Sequence, residues 1–137
     1  SIFKIVDLDE AWAFLNVAQG ETLSNKLVRA GRAMNAGVYF VTQSSGDVSK
    51  ESLKNNIGLK FAFRSTDTNE IKQTLEFFGL DSEDENNQKR LRDLENGQCL
   101  MQDLYGRVGV VQIHPVFVEL LHAFDTRPPI KSEVDLE

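Results

Sequence analysis

Two adjacent carboxylates, Asp9 and Glu10, follow the mostly apolar run Ile5-Val6-Asp7-Leu8 and precede Ala11-Trp12. This order places both acids at a strand-to-helix turn. Ligands of open α/β sheets bind at the carboxyl ends of the strands, so a site would form at this turn. Phosphoryl transfer to water accounts for such a pair. One carboxylate holds magnesium, usually through its water shell, and the other orients or deprotonates the attacking water. A structural reading stands beside it, in which Asp9 only caps a helix beginning at Glu10. Gln43 directly follows Val38-Tyr39-Phe40-Val41-Thr42, a second apolar run, so its amide falls on the same sheet edge. There it can sense a γ-phosphate or position water; alone, it reads equally as a loop residue. Lys26, Arg29 and Arg32 recur at three-residue spacing. They form either a solvated helix face or a basic stripe that meets the phosphates of a neighbouring subunit, since guanidinium pairs bidentately with them.

The elements that must position these residues alternate between apolar strands and helical stretches, which predicts an α/β fold on a parallel sheet. A strand is expected over 3–8. A helix follows from residue 10, pauses at Gln19-Gly20 and resumes over 22–35, with Leu23, Leu27, Ala30 and Met34 facing the core. Gly37 ends it through a left-handed cap. Residues 38–42 are a buried strand, 43–47 a polar loop and 59–64 a third strand. Asp67 caps the next helix with Glu70 three residues on, and Ile71, Leu75 and Phe78 form its apolar stripe before Gly79. Ser82-x-x-Glu85 reads as a capping box for a further helix whose Leu91 and Leu94 turn inward. The acidic run 81–85 is a solvated cluster favoured by that helix's dipole. Strands over 98–104 and 107–113 make an antiparallel hairpin around Tyr105-Gly106, and 116–124 is a closing helix. Trp12, beside Phe14 and Leu15, is expected in the core, and Cys99 is a small buried apolar residue. His114 and His122 fall on different elements, which favours structural or surface roles over a metal pair. Arg64, after the third strand, is a candidate contact on the nucleotide edge.

Composition narrows the classes. A chain of 137 residues allows one domain, and 41% hydrophobic against 26% charged residues excludes collagen-like and disordered chains. A net charge of −6 gives no overall field for nucleic acid, so such a contact would need a local basic stripe. The single Cys99 excludes an internal disulfide and suits a reducing compartment. No apolar run is long enough to span a membrane, and the opening residues do not read as a signal peptide.

Asp9-Glu10-Ala11-Trp12 after an apolar strand, followed by the block from Arg29 to Val48 (RAGRAMNAGVYFVTQSSGDV), resembles the second half of the ATPase domain in conjugative-transfer ATPases of bacterial type IV secretion systems. These TraC-like proteins are relatives of the HerA and FtsK motors, and the likeness runs from about residue 3 to 107. It implies a partial RecA-like P-loop NTPase, with a mostly parallel sheet flanked by helices and a C-terminal antiparallel hairpin. It further implies a hexameric or otherwise oligomeric motor, cytoplasmic and peripheral at the bacterial inner membrane through other secretion components. Such a motor uses Mg2+ and ATP to drive pilus assembly or DNA-substrate transfer. By this resemblance Asp9 matches the Walker B aspartate that holds magnesium, Glu10 the catalytic glutamate and Gln43 the sensor glutamine. Arg32 matches the arginine supplied to the neighbouring subunit's nucleotide, with Arg29 the adjacent candidate. Two positions depart from the pattern: Ala33 stands where a lysine is usual, and Asp7 where the strand is normally apolar.

None of the nine glycines is followed by lysine, so no Gly-x-x-x-x-Gly-Lys loop is present to cradle phosphates. Together with the missing initiator Met, this leads to the expectation of an excised piece whose phosphate loop lies upstream. On that reading the chain alone neither binds ATP tightly nor hydrolyses it. Residues 1–126 are then the C-terminal part of the ATPase domain, and 127–137 a polar tail after Arg127-Pro128-Pro129 that includes a candidate cloning scar, Leu136-Glu137. Two other functions fit the same residues: a DNA-translocating or helicase-type P-loop ATPase, and a non-catalytic oligomerisation or docking module.

Overall fold

Residues 2–48, 51–123 and 125 are described by a computed structural model of the chain. The apolar run after Phe3 forms β1 (Lys4–Leu8), and the next one forms β2 (Ala36–Phe40). They pair in parallel, with Lys4 opposite Ala36 and Leu8 opposite Phe40. Between them lie α1 (Ala11–Leu15) and α2 (Ala18–Met34), the crossover that a parallel pair requires. After β2 a single 3-10 turn (Ser45–Val48) leads to the short α3 (Glu51–Lys54). Then come β3 (Lys60–Ala62), α4 (Thr68–Phe78), α5 (Glu85–Arg92), β4 (Gln98–Gln102), β5 (Val108–Gln112) and α6 (Val118–Ala123). The α/β class is as expected: a parallel ladder with flanking helices, plus an antiparallel hairpin.

One hydrophobic cluster ties these elements together. Ala11 and Leu15 of α1, Leu53 of α3, Ile71, Leu75, Phe77 and Phe78 of α4, Leu91 of α5, Leu94 just after it and Leu100 of β4 are all buried within it. Each fully buried leucine or isoleucine there contributes about 1.5–3 kcal/mol of transfer free energy. The consequence for function is that α1, which begins directly after Glu10, is anchored to the same core as α4.

The ends of α4 match the expectation. Asp67 Oδ1 accepts the Glu70 N–H at 2.8 Å, and Gly79 closes the helix in the left-handed conformation at φ 72°. Ile71, Leu75 and Phe78 are its buried face, and Leu91 and Leu94 also turn inward. Cys99 is fully buried, and burial pushes its thiol up.

Several local expectations are overturned, each for a physical reason. The break between the first two helices falls at Asn16-Val17, not at Gln19-Gly20. Gly20 is instead a point of contact: a Cβ there would lie 1.9 Å from the Phe14 carbonyl oxygen. Among the described residues of α2 the buried ones are Gly20, Ser24 and Gly31, while Leu23 and Met34 are about half exposed. Close approach of backbones therefore displaces the larger apolar residues from the packed face. The left-handed residue after α2 is Asn35 at φ 52°, and Gly37 lies inside β2. β2 is only partly buried, with Tyr39 exposed.

The third strand is shorter than expected and pairs antiparallel with β4, Lys60 opposite Gln102, so it joins the hairpin and not the parallel pair. Lys60 is held in place there by donating to the Phe77 carbonyl at 3.0 Å and lying over the Phe77 ring. No capping box forms at Ser82. Asp84 caps α5 by accepting the Asn86 N–H at 2.8 Å, and the Ser82 hydroxyl donates to Glu76. Two more acids of the run are engaged, Asp81 with the Glu83 N–H and Glu83 with Lys72. The expected closing helix shortens to α6, which has no buried residue, and residue 124 lies outside the described residues. The tail over 127–137 also lies outside them.

Candidate functional site

The carboxyl ends of β1 and β2 are joined beyond the strands themselves. Val41 donates its N–H to the Leu8 carbonyl at 3.0 Å and accepts the Ala11 N–H at 2.9 Å. With both ends bound to one residue, Asp9 and Glu10 must close a tight turn. Glu10 does so in the left-handed region, at φ 52° and ψ 44°, a conformation uncommon for a residue with a Cβ. The turn projects both acids from the sheet edge, and both are exposed.

Glu10 is gripped at both oxygens. Its Oε1 accepts the Gln43 amide at 3.0 Å, and its Oε2 accepts the Trp12 indole N–H. The Gln43 contact spans 33 residues of sequence and joins the tips of β1 and β2. Trp12 is thus not the core residue that its apolar neighbours suggest. Ala11 and Leu15, four apart, take the core face of α1 and turn Trp12 toward Glu10. Asp9 accepts the Glu10 N–H through Oδ1 at 2.9 Å. The helix begins at Ala11 and no side chain caps its start, so Asp9 is not an ordinary helix cap.

The loop bearing Gln43 is fastened from α4. Glu70 Oε1 accepts the Ser45 N–H at 2.8 Å and the Ser45 hydroxyl at 2.9 Å, and its Oε2 accepts the Ser44 hydroxyl at 2.9 Å. The buried Thr74 adds a hydrogen bond to Ser45 Oγ at 3.1 Å. Within the loop, Thr42 donates to Asp47 Oδ2 at 2.7 Å. Sequence reading gave Glu70 only a place in a helix N-terminus. The signal that could have found it is the Thr42 to Ser45 run of hydroxyls and amide beside Gln43, which needs an acceptor from elsewhere.

The remaining candidates lie apart from this cluster or beyond description. Arg29 is exposed on α2. Arg32 is placed in α2 by its backbone, and its side chain lies outside the described residues. Arg64 is exposed beyond β3, whose ladder is with β4, so the parallel pair does not carry it to the Glu10 edge. Asp7 faces solvent, as its charge requires.

The donor set bears on a metal. Among the described residues no three His, Cys, Asp or Glu side chains converge as a cation cage. One exposed carboxylate with an oxygen left over fits magnesium, which keeps most of its waters and takes its other ligands from phosphate. The residues present therefore suit Mg2+ arriving with a nucleotide. Among the described residues no helix is long and apolar enough to cross a membrane.

An uncharacterized protein of Bacillus subtilis (strain 168), YddE, is 34% identical over 119 residues, which is 87% of this chain. The chain spans 14% of the length of that relative. A family described as an AAA-like domain matches residues 1–124. That match relates the chain to ATPases in general and covers the turn at Asp9-Glu10, Gln43 and the hairpin alike: the chain belongs to the AAA-like domain family.

Proposed function

We propose that this chain is the C-terminal part of the ATPase domain of a conjugative-transfer motor of the type IV secretion class, acting within a longer polypeptide. The observation that carries the reading is the 3.0 Å contact between the Glu10 carboxylate and the Gln43 amide at the carboxyl edge of a parallel strand pair, with Asp9 adjoining. Bound Mg2+ and ATP would supply an electrophilic phosphorus with its negative charge partly neutralised. Asp9 would hold the metal through its water shell, using the oxygen not engaged with the Glu10 N–H. Glu10 orients the attacking water and takes its proton at the carboxylate. Gln43 fixes that carboxylate and is free to exchange its hydrogen bond for one to phosphate or water. Arg32, or Arg29 beside it, would reach the nucleotide of a neighbouring subunit in a homo-oligomer, which the resemblance makes a hexamer. The segment that cradles the phosphates would come from elsewhere in the longer protein, and the motor would sit peripherally at the cytoplasmic side of the inner membrane.

The test is Glu10→Gln in the full-length protein. Hydrolysis is expected to fall at least about 100-fold, the scale of a lost general base, with nucleotide binding retained. Unchanged hydrolysis would refute the reading and favour a non-catalytic docking role. The 137-residue chain by itself is expected to show no Mg2+-dependent turnover.

A further inference from the structure

Gln43 is exposed, follows the last bonded residues of β2, and donates its side-chain amide to Glu10 Oε1 at 3.0 Å. Alongside the Thr42–Asp47 and Thr74–Ser45 bonds, one side chain from α4 makes the largest share of the contacts to the loop beside it. Glu70 takes three hydrogen bonds from Ser44 and Ser45, the two residues immediately after Gln43, and one of these comes from a backbone N–H. A carboxylate acceptor makes such bonds shorter and stronger than a neutral one would. Glu70 is itself fixed, by its N–H bond to Asp67 and by the fully buried Ile71 next to it. Ile71 packs in the same core cluster as Ala11, which follows Glu10. The path from core to α4 to loop to Gln43 and back through Glu10 and α1 is therefore closed. Its length sets where the Gln43 amide stands against the Glu10 carboxylate.

We propose that Glu70 is the positioning residue for Gln43, so that α4 governs the alignment of the hydrolytic pair. This rests on the ATPase reading of the site. Glu70 touches no reacting atom, and its effect passes through the loop. A displacement of about 1 Å at a catalytic group can lower turnover on the order of 100-fold, so a modest loosening suffices.

The test uses the full-length protein with Glu70→Ala, Gln43→Ala and the double variant. Glu70→Ala is expected to lower kcat about 10- to 100-fold and to leave KM for ATP within about threefold. The double variant should be no slower than Gln43→Ala alone, within about threefold, because the two act as a unit. Independently of activity, hydrogen exchange of a peptide covering 42–47 should speed up at least about tenfold in Glu70→Ala while the peptide over 98–102 is unchanged. Should Glu70→Ala fail to fold, Ser44→Ala leaves α4 intact and removes one of the three bonds to Glu70 together with the bond its hydroxyl accepts from the Gly46 N–H, with an expected drop in kcat of about threefold. A multiplicative loss in the double variant, or unchanged exchange over 42–47, would overturn the proposal. If Gln43→Ala is impaired and Glu70→Ala is not, the positioning role alone fails. If Gln43→Ala keeps full turnover, the reading of the site fails and takes the proposal with it.

Discussion

The left-handed turn at Glu10 can be tested by a pair of substitutions whose difference isolates backbone conformation. Glu10→Ala and Glu10→Gly both delete the carboxylate and both of its hydrogen bonds, to Gln43 and Trp12, so those losses cancel between them. What remains is the cost of φ 52°. A Cβ in that region costs about 1–2 kcal/mol, which glycine escapes. Against this, glycine loses about 0.5–1 kcal/mol more backbone entropy on folding than alanine does. The glycine variant should therefore be the more stable of the two by about 0.5–1 kcal/mol. At an ordinary extended or helical φ the order would reverse, alanine leading by a similar margin. Trp12 is the chain's only tryptophan and lies two residues from Glu10, so urea titration followed by its fluorescence reports on this half of the fold. An alanine variant as stable as the glycine variant, or more so, would refute the argument that the Val41 bonds force a left-handed Glu10. The expected order carries a functional corollary. A residue held in a strained conformation at a sheet edge persists because the surrounding structure over-determines it, and the acid gains a fixed direction in return.

Two further outcomes follow from the packing and the charges. Gly20→Ala would drive a Cβ to 1.9 Å from the Phe14 carbonyl, so α1 and α2 must separate; the loss should be about 1–3 kcal/mol or more, read as a lower urea midpoint by Trp12 fluorescence, and an unchanged midpoint would refute the close approach. For Asp103, desolvation alone would raise the carboxyl, but bonds from the Arg107 N–H and guanidinium and from the Tyr105 N–H outweigh it and hold the group below its usual range. Their contribution is then present above the unfolded carboxyl value near pH ~4 and is lost as pH falls through the lower folded value, so the protection of the Tyr105 and Arg107 amides, taken relative to the intrinsic exchange rate at each pH, should fall on acidification below about pH 4 in the native chain. Asp103→Asn should lack that dependence, and an identical acid profile in both would count against the carboxylate as turn anchor.

The sequence disclosed elements wherever a local rule also satisfied the tertiary structure. Asp67, Gly79 and the stripe Ile71, Leu75 and Phe78 define α4 by themselves, because its cap, its stop and its buried face all lie within twelve residues of one another. The hairpin around Tyr105-Gly106 is equally self-contained, its turn closed by Asp103 and Arg107. Local rules failed where a distant partner decided the outcome. Helical periodicity assigned Leu23 and Met34 to the core of α2. Glycines and a serine hold that face instead, because the backbones of Phe14 and Ala36 come too close for anything larger. Residues 60–62 read correctly as a strand, yet nothing in them could say that the free edge of β4 would capture them.

The candidate site divides along the same line. Asp9, Glu10 and Gln43 could be singled out as candidates because they follow apolar strands at the sheet edge where ligands of open α/β sheets bind, and those strands are plain in the sequence. Trp12 and Glu70 were not, and both act at second hand. A tryptophan among apolar residues looks like core until the i, i+4 pair Ala11 and Leu15 is seen to occupy that face. A glutamate three residues after an N-cap looks like helix chemistry until the loop it serves, some 25 residues earlier, is folded against it. The candidate residues at the strand tips are thus announced by their own types and places, whereas the groups that hold them are defined by distances that only folding creates. It follows that substitutions at Glu70 or Trp12 should reveal their importance through altered alignment of Glu10 and Gln43, and not through loss of any property that their own sequence neighbourhood displays.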